Sequence, residues 1–325
     1  MSRVRRAATS RRLLGILCLL AITEACRQPQ TAPERARVRI ATGSPGGGFY
    51  PLGAALAVEL GRALPTLDLN TQPSAGAISN IKALEAGTAD LGFAFADVAY
   101  VAFVGGLEGD ARPFSKLRSI AVLQLTPVHL AVSESSGIRR VEDLRGRRVG
   151  LGPPGSGTAL TVGIILKAFG VPLDTVHTEA LGFNDAAERL SDGRLDAMFD
   201  NGNYPVDSVR AASARGGRLV PIAGPPVDRL LREYPFLQRS VIPRGVYGGQ
   251  TRSIHTIGVD TLLLCRSELD EALVHDLTER LFDVLPTLVV HQTSLRFMDL
   301  EQASAAPVPL HEGAARYYRE REFLR

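Results

Sequence analysis

Hydrophobic and polar positions along this chain follow two alternating periods, one typical of strands and one typical of helices. Residues 38–42 predict a short buried strand, and apolar residues at helical spacing over 52–64 predict the helix that follows it. Strands are again predicted at 67–71 and 90–95, with a helix between them that Gly87 can end. Because strands and helices alternate, the pattern predicts parallel β-α-β units and an α/β fold.

The later chain repeats this order and contains a weak internal repeat. Residues 84–93 (LEAGTADLGF) align with residues 190–199 (LSDGRLDAMF). Each copy has a helix end, a glycine, two further residues, an aspartate and then a strand. We interpret the repeat as two α/β halves of similar topology. The alternative is that Gly-x-x-Asp is only a common helix-to-strand turn.

Two apolar, strand-like runs, at residues 120–132 and 252–266, are longer than the short strands of the repeat. We interpret them as two crossings between lobes, which is how a hinge is built. The expected first lobe comprises residues 38–128 and 257–325, and the second comprises residues 129–256. Two lobes joined by hinge strands leave a cleft between them.

The N-terminus resembles an export signal. A basic stretch with five arginines precedes a ten-residue apolar run at 13–22, which is too short to span a bilayer. We expect residues 1–26 to be a signal peptide, residues 27–37 to be a linker, and the body to be periplasmic. Cys26 is a candidate for lipidation and membrane anchoring, but Thr23 and Glu24 depart from a lipobox, so both interpretations stay open.

Charge and composition exclude several function classes. Residues 1–26 carry five Arg and one Glu, so their removal lowers the formal net charge from +3 by 4 to −1. A nearly neutral body has no basic field for nucleic acid. After residue 26 no apolar run is long enough to span a membrane, and the six histidines have no metal-ligand spacing. We expect a monomer without cofactor or metal.

Candidate binding residues lie in four loops that follow predicted strands, at 42–50, 95–100, 152–158 and 200–204. In open parallel sheets, ligands bind beyond the carboxyl ends of the strands. The loops at 42–50 and 152–158 are rich in Gly and Ser and open helices, so their amides and hydroxyls suit an anion. The predicted ligand contacts are Thr42, Ser44, Gly46, Gly47, Tyr50, Asp97, Ser156, Gly157, Thr158, Asn201 and Asn203.

Each of these residues also has a purely structural interpretation. Ser and Thr can be helix caps, and the glycines can serve only the turns. Asp97 is either a ligand contact or an N-cap, and Tyr50 is either a cleft wall or a core aromatic. Two such loops at equivalent places of a repeat favour binding.

The motifs resemble those of the TAXI-type solute receptors of tripartite ATP-independent periplasmic (TRAP) transporters. The resemblance runs from about residue 38 to the end of the chain. The blocks that carry it, in order, are TGSPGGGFYPLG at 42–53, ADLG at 89–92 with DVAY at 97–100, GPPGSGT at 152–158, YPF at 234–236, IP at 242–243, YGGQ at 247–250, and PLH at 309–311 with RYY at 316–318.

This resemblance implies a type II periplasmic binding protein fold that closes on a small organic anion and delivers it to a TRAP membrane permease. It implies a carboxylate ligand and a binding protein, not an enzyme. The chain departs from the family where Phe49 replaces a frequent Tyr and where Phe95-Ala96 replaces a polar pair, which indicates a ligand less polar than glutamate. The alternative function is a periplasmic ligand-sensing module for a signalling partner.

Overall fold

The computed structural model describes residues 35–45, 47–107 and 109–323. The predicted signal peptide, Cys26, most of the predicted linker and Gly46 lie outside these ranges. Within them, no helix combines the length and the apolar character needed to cross a membrane. Cys265 is a buried thiol without a disulfide partner.

Ten strands and nine α-helices form the described body. The strands are β1 (Ala36–Ala41), β2 (Leu67–Gln72), β3 (Leu91–Phe95), β4 (Leu117–Val132), β5 (Arg148–Gly150), β6 (His177–Glu179), β7 (Ala197–Asn201), β8 (Arg218–Leu219), β9 (Leu237–Ile242) and β10 (Ile254–Arg266). The helices are α1 (Phe49–Ala63), α2 (Ala77–Glu85), α3 (Ala96–Gly105), α4 (Thr158–Ala168), α5 (Phe183–Ser191), α6 (Asp207–Ser213), α7 (Pro225–Glu233), α8 (Glu271–His291) and α9 (Glu312–Glu320).

The strands form one mixed sheet in the order β2-β1-β3-β10-β4-β7-β5-β6, with β9 beside β10 and β8 beside β4. We call β2, β1, β3, β10 and β9 the first sheet segment, and β7, β5, β6 and β8 the second sheet segment. β4 belongs to both, since it pairs with β10 from Leu117 to Pro127 and with β7 from Val128 to Val132. The two long runs of the sequence are therefore antiparallel neighbours at the middle of the sheet.

Short strands on each side of this pair are parallel, as the β-α-β pattern predicts. β1 pairs with β3, and β5 pairs with both β6 and β7, each in parallel register. All five residues of β3 are buried, which suits a strand covered by helices on both faces. The predicted lobe boundaries stay predictions.

The internal repeat corresponds to one side-chain clasp built twice. In the first copy, Arg39 donates from its backbone N and its Nε to Asp90 Oδ2, and from Nη2 to Asp90 Oδ1 and the Gly87 carbonyl, at 2.8–2.9 Å. Arg148 makes the same four bonds to Asp196 and the Gly193 carbonyl, at 2.8–3.1 Å. The aspartate of each Gly-x-x-Asp turn thus ties a strand end to its parallel neighbour.

Five elements lacked a signal that we could interpret: β6, α6, β8, α7 and β9. They are short, and several are exposed. β6 has two exposed residues out of three and no apolar alternation. Tertiary pairing rather than local pattern fixes such edge elements.

Candidate functional site

A cavity lies where the carboxyl ends of strands from both sheet segments meet. Its volume is about 30 Å³, and it is open to solvent. Its lining residues are Gly43, Ser44, Gly47, Gly48, Phe49, Ala75, Gly76, Phe95, Ser156, Thr158, Phe183 and Asn201. All four loops that the sequence singled out contribute to this lining. Open α/β sheets bind their ligands at the carboxyl ends of the strands.

The loop after β1 presents backbone and a small hydroxyl side chain to the cavity. Its turn is closed by a hydrogen bond from the Gly47 amide to the Ser44 carbonyl, at 3.0 Å. A Cβ on Gly47 would lie 3.3 Å from that carbonyl oxygen and 3.6 Å from the Phe183 ring. The first distance is tight and the second is an ordinary van der Waals contact, so glycine suits the turn itself.

The loop after β5 needs glycine for its backbone conformation. Gly152, Gly155 and Gly157 have φ values of +78°, +89° and +87°, in the left-handed region that L-residues rarely adopt. A Cβ on Gly152 would lie 2.9 Å from both the Phe183 ring and Ser156 Oγ. These turns aim Ser156 Oγ at the start of α4, where it accepts a hydrogen bond from the Thr158 amide at 3.3 Å.

The start of α2 holds the same loop from the first sheet segment. The amide of Ala77 donates to the Ser156 carbonyl at 3.2 Å, and the amides of Ile78 and Ser79 donate to the Gly155 carbonyl at 3.0 and 3.2 Å. A helix N-terminus that would otherwise attract an anion is therefore occupied by protein carbonyl groups. These bonds connect the β5 loop to an element that follows β2, across the cavity.

Asn201, at the end of β7, carries a polar side chain with nothing to bond to. It is 5% exposed, and neither its Oδ1 nor its Nδ2 has a hydrogen-bond partner among the described residues. Leaving a buried amide unpaired costs about 1–3 kcal/mol, so such groups in proteins usually have a partner. Asn201 lines the cavity, so its unpaired amide belongs to the cavity wall.

The predicted site residues divide into four groups. Ser44, Gly47, Ser156, Thr158 and Asn201 line the cavity. Gly47 also borders a neighbouring groove, and this groove contains Tyr50 and Asn203. Thr42, Asp97 and Gly157 line neither space. Gly46 lies outside the described residues. As ligand contacts, all four groups stay predictions.

Asp97 and Thr42 lie outside the cavity lining, and their side chains bond to protein groups. As ligand contacts they stay predictions. Asp97 is fully buried, where it accepts hydrogen bonds from Thr161 Oγ1 at 2.6 Å and from the Val98 amide at 2.7 Å. Its carboxylate therefore connects α3 to α4. Thr42 is 1% exposed and donates from Oγ1 to the Gln72 carbonyl at 3.2 Å, so its hydroxyl joins β1 to β2.

Gly157 also lies outside the cavity lining, and its lack of a side chain allows close packing. As a ligand contact it stays a prediction. A Cβ there would lie 2.9 Å from Val98 Cγ2 and 3.1 Å from the Ala77 Cβ. The glycine lets α4 pack against α2 and α3 behind the cavity wall. Its side of the loop faces protein, not the cavity.

Three cavity residues were missed by sequence reasoning: Phe183, Ala75 and Gly76. Ala75 and Gly76 follow a predicted strand, so the strand-end rule applied to them as well as to the four chosen loops. Phe183 follows β6, the exposed edge strand that had no pattern. Its position next to the β5 loop became visible only with the parallel pairing of β5 and β6.

Two buried acids, Asp97 and Asp200, lie close in the chain to cavity-lining residues, but neither lines the cavity. No cavity-lining side chain among the described residues is charged. Burial raises the pKa of Asp97 to about 6, although the bonds from Thr161 and Val98 oppose the shift. Burial likewise raises the pKa of Asp200, beside Asn201, to about 7 against one hydrogen bond from Ser208. Among the described residues, no cluster of His, Cys, Asp or Glu could hold a metal ion.

Comparison with protein families identifies one family whose model matches most of the chain. The model of the NMT1-like family matches residues 40–321. The chain belongs to the NMT1-like family. The match runs from within β1 through α9, so it includes all the cavity-lining residues.

Solved structures share the fold of this NMT1-like chain at low identity. A protein from Bordetella bronchiseptica RB50 has 17% identity and a TM-score of 0.56, covering 89% of this chain and 99% of that one. PhnD1 from Prochlorococcus marinus MIT 9301, in complex with methylphosphonate, has 13% identity and a TM-score of 0.55, covering 90% and 100%. A putative L-cystine ABC transporter protein from Listeria monocytogenes has 18% identity and a TM-score of 0.51, covering 80% and 96%.

These likenesses confirm the predicted fold class, a two-lobed α/β fold of the periplasmic binding protein type. At such identities they show the fold alone. A shared fold does not show that this chain binds the same ligands as these proteins.

Proposed function

We propose that this NMT1-like chain is an extracytoplasmic solute-binding receptor. It captures a small organic anion, a carboxylate, in the cavity described above and delivers it to a membrane permease. The observation that carries the proposal is the cavity itself, which is lined from both sheet segments by helix starts, hydroxyls and an unpaired amide. Closure of two lobes around a ligand explains why residues distant in sequence surround one small space.

Two kinds of permease are supported by different observations. The ordered motif blocks resemble TAXI-type receptors, which supports a TRAP permease driven by an ion gradient. The Listeria neighbour is named as an ABC transporter protein, which supports a permease driven by ATP. We propose the TRAP partner, because the blocks run through the chain, whereas the neighbour shares only the fold.

Ligand uptake in spheroplasts that carry the permease distinguishes the partners. A TRAP partner predicts that collapse of the sodium and proton gradients stops receptor-dependent uptake while ATP is maintained. Uptake that survives the collapsed gradients but stops on ATP depletion would replace the TRAP partner with an ABC permease. Either result leaves the receptor function in place.

Binding is tested by a thermal-shift screen of organic acids, followed by calorimetry. We expect one-to-one binding, and we expect Ser156→Ala to weaken it at least tenfold, because one charge-assisted hydrogen bond contributes about 1.5–3 kcal/mol. Ser191→Ala is the matched control, since Ser191 Oγ bonds only within α5, to the Ala187 carbonyl. Equal affinities of both variants for the acid would remove Ser156 from the site.

A further inference from the structure

The cavity offers no cationic side chain to balance an anionic ligand. Its polar side chains are Ser44, Ser156, Thr158 and Asn201, and all of them are neutral. Positive potential must therefore come from backbone dipoles at helix N-termini, where each terminus is equivalent to about half an elementary charge. How many termini are free decides how much ligand charge the site can hold.

Three helices that begin at the cavity already have their N-termini occupied. The first amides of α2 donate to the carbonyls of Gly155 and Ser156. The start of α3 holds the Asp97 carboxylate. α5, which begins at the cavity residue Phe183, carries Asp185 in its first turn. These termini have no positive potential to spare for a ligand.

Two further helix N-termini at the cavity, those of α1 and α4, have no acidic residue in the first turn. Among the described residues, they also have no bond from their amides to a carbonyl of another segment. Their amide-to-carbonyl bonds there stay within the turn itself, as from Tyr50 to the Gly47 carbonyl and from Leu160 to the Gly157 carbonyl.

The cap residue of each of these two helices is a glycine, Gly48 or Gly157, which has no side chain to occupy the first amides. The Thr158 amide donates to the Ser156 hydroxyl, which is neutral and adds no counter-charge. Two half charges together balance about one negative charge.

Asn201 indicates independently that a ligand completes this site. Only 5% of it is exposed, it lines the cavity, and both polar atoms of its amide are without partners among the described residues. Its amide supplies one neutral donor and one neutral acceptor. A ligand there gains hydrogen bonds but no further positive charge.

A second negative charge on the ligand would have no counter-charge among the described side chains of the cavity, and the residue beside Asn201 in the chain is an acid. Asp200 precedes Asn201 and is 1% exposed, and its Oδ1 has no partner among the described residues. In a site of low dielectric, an unpaired charge is costly and like charges repel strongly.

We propose that the ligand is a singly charged organic acid with an apolar body, and that dianions of the same size are rejected. Phe49, Phe95 and Phe183 supply the apolar walls for that body. This inference rests on the proposed function, because it names the ligand class of the same cavity. It separates this chain's ligand from dicarboxylates and from doubly ionised phosphonates.

Calorimetry of the purified protein with matched acid pairs at pH 8 tests the inference. The pairs are monomethyl glutarate against glutarate and benzoate against phthalate, which differ within each pair by one ionised carboxyl. We expect the monoanion of at least one pair to bind, and to bind at least tenfold more tightly than its dianion. A dianion that binds as tightly as its monoanion, or more tightly, overturns the inference but leaves the receptor function standing. Absence of binding by all four acids contradicts both.

A charge variant provides the second measurement. Ser44→Lys places a cation at the partly exposed rim of the cavity, and it is expected to raise the affinity for glutarate relative to monomethyl glutarate at least tenfold. Val58→Lys, on the half-exposed outer face of α1, adds the same charge away from the cavity and should leave this ratio within twofold. An unchanged ratio in Ser44→Lys, or an equal change in Val58→Lys, contradicts the charge balance.

Discussion

Gly157 and Gly87 share a left-handed backbone but differ in surroundings, which makes them a matched pair. Their φ values are +87° and +69°. A Cβ on Gly157 would lie 2.9 Å from Val98 Cγ2, whereas one on Gly87 would meet no atom within 4 Å. Both alanine variants bear the cost of the left-handed conformation, about 1–2 kcal/mol. Gly157→Ala also bears the overlap, which costs about 1–3 kcal/mol more.

Urea unfolding of the two variants measures this difference. We expect Gly157→Ala to lower the free energy of unfolding by at least about 1 kcal/mol more than Gly87→Ala. Equal losses in the two variants would show that the packing of α4 against α2 and α3 is looser than described.

Asp200 makes stability depend on pH in an unusual direction. Burial raises its pKa from 3.8 to about 7. Between these values the folded state binds more protons than the unfolded state, so the free energy of unfolding falls as the pH rises from about 4 to about 7. At 1.36 kcal/mol per pH unit, this group accounts for at most about 4 kcal/mol.

Asp200→Asn is expected to flatten the fall in stability between pH 4 and pH 7, because the neutral amide has no proton to lose. Thermal or urea unfolding across this range is the measurement. Asp174→Asn, at an exposed position, is the control and should leave the pH profile of the native protein unchanged. A profile for Asp200→Asn parallel to that of the native protein would show that Asp200 does not titrate in this window.

At the scale of elements, the repeated Arg–Asp clasp fixes where parallel strands meet. Asp90 is more buried than Asp196, with side chains 5% and 17% exposed, and it also accepts a 2.9 Å bond from Arg266 Nε. Burial raises the pKa of Asp90, but the bonds from Arg39 and Arg266 outweigh it and lower the pKa. The bond from Arg148 lowers the pKa of Asp196.

Asp90→Asn is therefore expected to destabilise the fold more than Asp196→Asn, by about 1.5–3 kcal/mol against about 1 kcal/mol at pH 7. Because both pKa values are lowered, each ion pair stabilises the fold above the unfolded pKa, and its contribution is lost as the pH falls through the folded pKa. Both differences from the native protein, measured by urea unfolding, should thus shrink in acid. Equal losses at pH 7 would contradict the role of Arg266 as a second partner.

Elements with a strong apolar period were predictable, and edge elements were not. The pattern of Val38 and Ile40 before the loop, and of Leu52, Leu56 and Leu60 after it, follows from burial of one strand face and one helix face. β6 carries no such pattern, because two of its three residues are exposed. It was missed, and with it the position of Phe183 in the cavity wall.

At the scale of the whole molecule, the strand-end rule located the cavity but could not separate its lining from its support. Ser44, Ser156 and Asn201 line it, as the loops suggested. Asp97 and Thr42 occupy loops of the same kind yet bond to protein groups. The direction of the side chain decides whether a loop residue lines the cavity or bonds to protein groups. This direction depends on packing between segments that are distant in sequence.

Three backbone amides of α2 bond across the cavity. The amides of Ala77, Ile78 and Ser79 donate to the carbonyls of the β5 loop, so opening of the cleft would expose them to water. We expect ligand to slow hydrogen exchange at these three amides, because it shifts the population toward the closed state. The amides of Leu262 to Leu264, inside the central strand β10, should exchange at the same rate with and without ligand. Exchange rates at Ala77, Ile78 and Ser79 that are the same with and without ligand would contradict closure.

We propose that the cavity binds an organic anion through Asn201. A calorimetric titration of the native protein and two variants tests this binding. The acid with the largest thermal shift in the screen is titrated by calorimetry into the native protein, Asn201→Ala and Asn184→Ala. Asn184 is exposed on α5 and serves as the control. We predict one-to-one binding to the native protein and the control, with at least a tenfold loss in Asn201→Ala. Equal affinity in all three proteins would contradict this account.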